Sequence, residues 1–406
     1  MRRRVKITGI GPVTPAGIGR EEFFRGINES ISRVRAITRF DPAAGQFIGA
    51  EIPDFNLKNF APDENPRRLA RHAQFGLAGA MLALEDAGIK LQSLAGQNVV
   101  IATGSAMMDI DKISRGVQSV AKKGPRYSLA NTVSETSSLN VAGKIADYVT
   151  GFGANSRMFS LHGSCCSGID AIGQAAELVA NGQTNFALAG GSESPLTYHP
   201  LLEFNTAELS PSTSDNPAQS CRPFDLWRST GVLGEGATIV VLEPAESPRP
   251  AYAWITGYGS ANDPDGLPAT GIAEALQMAL ANSQHYASDV DFINAWGPGH
   301  RQIDSNEAHA LKKIFGTRLS DIPAVSIKGA VGTALGAAGA MQLASAALSI
   351  ARNIIPPTVN WTTPDPNCPL NLSAHVRHLA PSVCAITAHG LLGSNTAVIL
   401  ERTCRP

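Results

Sequence analysis

Val5-Lys-Ile-Thr-Gly-Ile-Gly11 reads as a short buried strand entering a glycine turn, and past the middle of the 406-residue chain Ala253-Trp-Ile-Thr-Gly-Tyr-Gly259 says almost the same thing. Similarity at such a distance marks a duplicated unit. A looser second pair supports it. Ser156-Arg-Met-Phe-Ser-Leu161 is strand-like and leads through Gly163-Ser-Cys-Cys-Ser-Gly168 into an Ala-rich helix ending near Asn181. Pro323-Ala-Val-Ser-Ile-Lys328 likewise meets a Gly-rich turn and a helix from about Leu335 to Asn353, stopped by Pro356-Pro357. The reading is two tandem α/β halves, residues 1–246 and 250–406, with the seam at Glu246-Ser-Pro-Arg-Pro250.

Outward from these repeats, apolar residues at helical spacing (Leu69, Phe75, Leu77, Met81, Leu84) predict a helix over Arg67–Ala87 closed by Gly88. Val99–Gly104, Phe186–Gly190, Thr238–Leu242 and Thr396–Leu400 are continuous apolar strands, the pattern of sheets covered on both faces.

Composition narrows the function classes. Hydrophobic residues make up 43% and charged ones 17%, which fits a compact globule. Lys and Arg total 33 against 34 Asp and Glu, so there is no basic excess for a nucleic-acid partner. The basic start Arg2-Arg-Arg4 runs into the glycine-containing strand rather than an apolar segment, and no run spans a bilayer. A cytoplasmic, reduced protein without nucleic-acid or membrane partners is expected. Cys165, Cys166, Cys221, Cys368, Cys384 and Cys404 are scattered and show no CxxC spacing, so neither a disulfide scaffold nor a metal site is expected. Gly9-Ile-Gly11 is no dinucleotide fingerprint, and no cofactor is expected.

The Gly163–Gly168 turn carries the chemistry. A cysteine between a strand and a helix N-terminus feels the positive helix end, which favours the thiolate, and the turn amides are placed to serve an oxyanion. Taken alone, the pattern equally describes a cysteine packed as a small hydrophobe. Further ordered motifs decide between them: Pro12-Val-Thr-Pro-Ala-Gly17, Ile37-Thr-Arg-Phe-Asp41, Gly190-Gly-Ser-Glu193, Arg222-Pro-Phe-Asp225, Gly234-Glu-Gly-Ala237, and Lys328 followed by Gly336-Ala-Ala-Gly339. With these the chain resembles, nearly end to end, the β-ketoacyl-acyl-carrier-protein synthases, elongating-type condensing enzymes of the thiolase fold. The resemblance implies duplicated α/β halves in a layered α-β-α-β-α architecture, a dimer, acyl delivery by an acyl carrier protein, and a nucleophile at Cys165, three residues before Gly168.

Around that cysteine the chain departs from the family pattern. One family histidine belongs in an Asn-Ala-His-Gly-Thr-Gly-Thr-like turn, where this chain has Asn294-Ala-Trp296-Gly-Pro298-Gly-His300. The other belongs in a Lys-Ser-x-x-Gly-His turn, matched by Lys328-Gly-Ala-Val-Gly332-Thr333. Neither indole nor hydroxyl shuttles protons at neutral pH. Two family gate phenylalanines fall on Gly231 and Leu391, which predicts a widened gate partly refilled by Trp296. His300 and His389 are possible substitutes for the lost imidazoles. His162 is expected in the core or an interface, and Lys328 with Glu307 is expected to form a buried ion pair ordering the loops.

Two functions fit. The first is an acyltransferase of fatty-acid or polyketide-type biosynthesis, loaded on Cys165, with altered or non-decarboxylative chemistry; losing carbonyl-holding donors costs about 10²–10³ in rate each. The second is a silent chain-length-factor-type subunit. The partners implied are an acyl carrier protein and either a second copy or a related ketosynthase.

Overall fold

The computed structural model describes residues 2–39, 47–107, 109–129 and 132–403. Phe40 and Asp41 of the Ile37–Asp41 motif, and Cys404, lie outside them.

The first half runs β1 (Val5–Thr14), α1 (Arg71–Asp86), β2 (Asn98–Gly104), α2 (Asn140–Thr150), β3 (Asn155–Leu161), α3 (Ser167–Ala180), β4 (Ala187–Glu193) and β5 (Gly236–Pro244). The second runs β6 (Ala253–Asn262), α4 (Ile272–Ser283), β7 (Phe292–Asn294), α5 (Arg301–Phe315), β8 (Ala324–Val325), α6 (Ala338–Arg352), β9 (Val383–Gly390) and β10 (Ser394–Glu401). Hydrogen bonding orders the first set β1-β5-β4-β2-β3 and the second β6-β10-β9-β7-β8. Strand by strand the two orders are equivalent, and so are the parallel and antiparallel senses. The two half-sheets join where β1 meets β6 antiparallel, Val5 opposite Ile255 and Ile7 opposite Ala253.

The repeated glycines do something other than turn the chain. Both strands continue through them, each with a register shift just before its first glycine, at Thr8 and Thr256. A Cβ on Gly9 or Gly11 would stand 2.2 Å from the Ala83 carbonyl or 1.9 Å from that of Gly79, both on α1. In the second half, a Cβ on Gly257 or Gly259 would stand 2.0 Å from the Ala279 carbonyl or 2.3 Å from that of Ala275, both on α4. The signature marks a helix lying directly on a strand, written twice.

α3 and α6 pack against each other between the half-sheets, while α1 and α4 cover outer faces. Every residue of β4, β5 and β9 is buried, as strands covered on both sides require. Boundaries differ from expectation in two places. The helix predicted from Arg67 starts at Arg71, because Pro66–Arg68 forms a separate 3₁₀ turn and Leu69 is extended; Gly88 follows its C-cap at φ +68°. The strand predicted over Pro323–Lys328 shrinks to Ala324–Val325, and Lys328 opens a one-turn helix. Among the described residues no helix is long and apolar enough to cross a membrane, and no group of His, Cys, Asp and Glu is arranged to hold a metal ion.

Candidate active site

α3 begins on a 3₁₀ turn, Ser164–Cys166, and Ser164 takes φ +55°, outside the range a serine prefers. This bend turns the two adjacent thiols in different directions. Cys165 lines a cavity of about 50 Å³, whereas Cys166 is fully buried and donates to the Ser394 carbonyl at 3.5 Å. Across the turn lies Gly390, where a Cβ would come within 2.9 Å of the Cys165 nitrogen. This close packing sets the flanking His389 and Leu391 on the cavity wall.

The same cavity collects Gly231, Trp296, His300 and Thr333. Seven of the nine residues singled out in the sequence therefore meet there, while Lys328 and Glu307 stand behind the wall. Apart from the two histidines and two hydroxyls, the lining is apolar, including Phe204, Leu209, Val232, Leu233, Ile303 and Leu335. A wider cleft of about 710 Å³, with Asn205, Glu208, Thr230 and Gln302 on its walls, shares Ser210 and His300 with the cavity.

The two gate positions have different surroundings. Gly231 is backed by Pro298, whose carbonyl would be 3.1 Å from an added Cβ, and Trp296 fills space from the same loop. Leu391 is partly exposed and Leu392, at φ +68°, stands fully in solvent.

Cys165 is not a ready thiolate. Burial pushes its thiol up to about 11, opposed by the Ser164 hydroxyl, the Leu391 N–H and Lys328. A favourable helix end contributes at most about 2 kcal/mol, roughly 1.5 pKa units, so at neutral pH the group rests as a thiol.

The expected Lys328–Glu307 ion pair is absent: among the described residues no salt bridge within 4.0 Å joins them. Instead the Lys328 ammonium donates to Gln342 Oε1 at 2.8 Å and sits 4.1 Å from the centre of the Trp296 ring. Burial lowers the lysine to about 7, although Glu307, Cys221, Cys165 and Asp304 all favour its charge. Glu307 accepts from the Trp296 and Gly297 N–H groups, each at 2.8 Å, and from the Thr387 hydroxyl at 2.7 Å. It thereby clamps the loop that aims Trp296, and burial raises its carboxyl.

The two histidines differ. His300 caps α5, its Nδ1 accepting from the Ile303 N–H at 3.4 Å; burial and the Arg228 charge lower it. His389 is buried on β9, with Nδ1 3.0 Å from Asn395 Oδ1. The Asn395 amide nitrogen donates to Asp263 Oδ1 at 2.8 Å and to the Gly393 carbonyl at 3.0 Å, which fixes its Oδ1 as an acceptor. His389 therefore carries its proton on Nδ1 and its lone pair on Nε2. Burial lowers its pKa, opposed by Asn395 and Asp263. His162, by contrast, is exposed rather than in the core.

Comparison with known proteins settles the family. The model of the β-ketoacyl synthase N-terminal domain matches residues 2–247, and that of the C-terminal domain matches residues 252–362. The chain belongs to the β-ketoacyl synthase family. It is 34% identical over 384 residues, 91% of each chain, to a putative polyketide β-ketoacyl synthase 1 of Streptomyces cyaneus. Among solved structures, the ishigamide ketosynthase/chain length factor superposes with a TM-score of 0.92 at 27% identity, over 100% of both chains. A type II polyketide synthase acyl-carrier protein in complex with its ketosynthase bound to the hexaketide gives 0.89 at 27%, over 99% of this chain and 100% of that one. The fold is accordingly the thiolase-like fold of these condensing, acyl-transferring enzymes.

Sequence reasoning missed Gln342, Asn395 and Pro298. Asn395 closes the loop run that includes Leu391, so a signal was present. Gln342 lies inside an unbroken helical run of Ala-rich sequence, and no local pattern distinguishes it.

Proposed function

We propose that this β-ketoacyl synthase homologue is an acyltransferase of polyketide- or fatty-acid-type biosynthesis that takes an acyl group from an acyl carrier protein onto Cys165 and passes it on without the standard decarboxylative condensation. The observation that carries this reading is the meeting, in one cavity, of the Cys165 thiol with an indole and a hydroxyl, Trp296 and Thr333. The thiol retains the means to form a thioester. The walls supply hydrogen-bond donors without an imidazole at either replaced position. Thr333 Oγ1 is buried with no hydrogen-bond partner, which leaves it free to meet a substrate carbonyl. Lys328 and Glu307 support the walls, and Gly231 and Leu391 flank the way in. The division into halves 1–246 and 250–406 belongs to the same reading, supported by the equivalent strand orders. So do a cytoplasmic location, an acyl-carrier-protein partner and a dimer with a second copy or a related ketosynthase.

Intact-mass measurement tests it. After incubation with an acyl-carrier thioester the protein gains the acyl mass and Cys165→Ala does not, while a malonyl-carrier thioester loses no CO₂. An unmodified wild-type mass with no acyl group lost from the carrier would sink the proposal, and steady malonyl decarboxylation would sink its non-decarboxylative part.

A second reading, a chain-length-factor-type subunit, draws on the likeness to the ketosynthase/chain length factor structure and on the small cavity. It predicts no acylation by the protein alone, visible in the same experiment, and a stable complex when an active ketosynthase is added, read by native mass measurement.

A further inference from the structure

The reading above leaves open how a thiol resting as a thiol is activated and what accepts the acyl group. We propose that Cys165, His389 and Asn395 act as nucleophile, base and positioning residue, and that the set transfers the acyl group from Cys165 to water, making the protein a hydrolase of acyl-carrier thioesters. The proposal rests on the acyltransferase reading and extends it.

Three observations carry it. Cys165 and His389 line one small cavity, and Gly390, directly after His389, packs against the Cys165 backbone. The His389 ring is held through Nδ1 by an asparagine that is itself anchored on Asp263, so the nitrogen free to take a proton is Nε2. A nucleophile, an imidazole and an orienting amide are the parts that cysteine acyl-transfer sites need, in whatever chain order. His300 cannot serve equally, because its Nδ1 is spent on capping α5. Finally, the free volume beside the thiol is about 50 Å³. A water needs roughly 10–15 Å³ on such a measure, so the resting cavity has room for a few waters beside the thiol.

The steps balance without a further reagent. His389 Nε2 takes the thiol proton as Sγ bonds to the thioester carbonyl carbon. The bond from that carbon to the carrier's sulfur breaks, and the imidazolium returns the proton to the departing thiolate. A water then gives its proton to Nε2 as its oxygen attacks the acyl carbon. The carbon–Sγ bond breaks, Sγ recovers the proton, and a free acid leaves.

The test uses the full-length protein, an acyl-carrier thioester and H₂¹⁸O. Wild type is expected to release free acid carrying one ¹⁸O while its acyl-Cys165 mass turns over. His389→Asn should slow release by about 10²–10⁴-fold, with His389→Gln as a second replacement and thermal melting to certify folding. Asn395→Asp places a carboxylate on Nδ1 and should shift the acid limb of the rate–pH profile upward, which a purely structural residue would not do. Acid released at wild-type rate by folded His389→Asn overturns the proposal. So does a wild-type acyl adduct that persists for hours without release, an outcome that leaves the acyltransferase reading standing. Absence of any adduct or acid sinks both.

Discussion

α3 and α6 start in the same way and do different work. Each opens on a 3₁₀ turn, Ser164–Cys166 in one half and Leu335–Ala337 in the other, and each turn contains a non-glycine residue at positive φ, Ser164 at +55° and Leu335 at +38°. The turns meet: a Cβ on Gly168 would lie 2.4 Å from the Gly336 carbonyl. Glu193, at the end of β4, accepts from Gly336 N–H at 3.2 Å and Ala106 N–H at 2.6 Å, and burial raises it to about 7. Duplication supplied one backbone device twice. Only the first copy carries a cysteine, while the second presents Leu335 as cavity wall.

The largest effect should follow from removing that asymmetry. Cys165→Ala makes both turns inert, and acyl loading should fall to background, read by intact mass. Cys166→Ala, one residue away but turned into the interior, should load normally; a loss there would mean the turn aims its thiols differently. Next is Thr333→Val, which keeps shape and removes the hydroxyl lacking a partner. Release of the acyl group should slow by about 10²–10³-fold, the cost of one oxyanion donor, with loading less affected. Equal rates would show that the hydroxyl holds no substrate oxygen. Gly168→Ala tests the contact between the turns. Overpacking typically costs about 1–3 kcal/mol, and here the obstacles are backbone atoms, the Gly336 carbonyl and the Gly191 Cα at 2.8 Å. Urea unfolding should show the loss, and a change below a few tenths of a kcal/mol would mean that the turns part easily.

Much of the fold was readable because duplication repeats local constraints. The motif beginning at Val5 and its copy at Ala253 both require a helix pressed on a strand, and strands such as Gly236–Pro244 declare burial by unbroken apolarity. The meaning of the glycines was misread, since close approach and turning demand the same residue. For the site, positions aligned with family motifs came together around Cys165. What stayed hidden were pairings across elements: the lysine seeking Gln342 and an indole face, and Asn395 fixing the His389 ring. Burial also reversed the expected thiolate, because desolvation of a fully enclosed sulfur outweighs a helix end.

The smallest predicted effect concerns that lysine. Lys328 falls from its ordinary 10.5 to about 7 in the folded chain. Between these values the unfolded chain holds a proton that the native state has released, so stability rises with pH across the window. Below about pH 7 both states are protonated and the cost of enclosing the ammonium is present in full. Glu193 and Asp304, raised by burial to about 7, act in the opposite sense below that pH, and the buried cysteines act only above their ordinary 9.0. The range from pH 7 to 8.5 therefore isolates the lysine. Over it wild type should gain stability relative to Lys328→Met, by no more than about 1.4 kcal/mol per pH unit, read from paired urea titrations. Parallel curves would mean that the Trp296 face and the Gln342 carbonyl keep the ammonium charged in the native state. Loss of the cation–π contact and of the hydrogen bond to Gln342 would then make up the effect of the substitution.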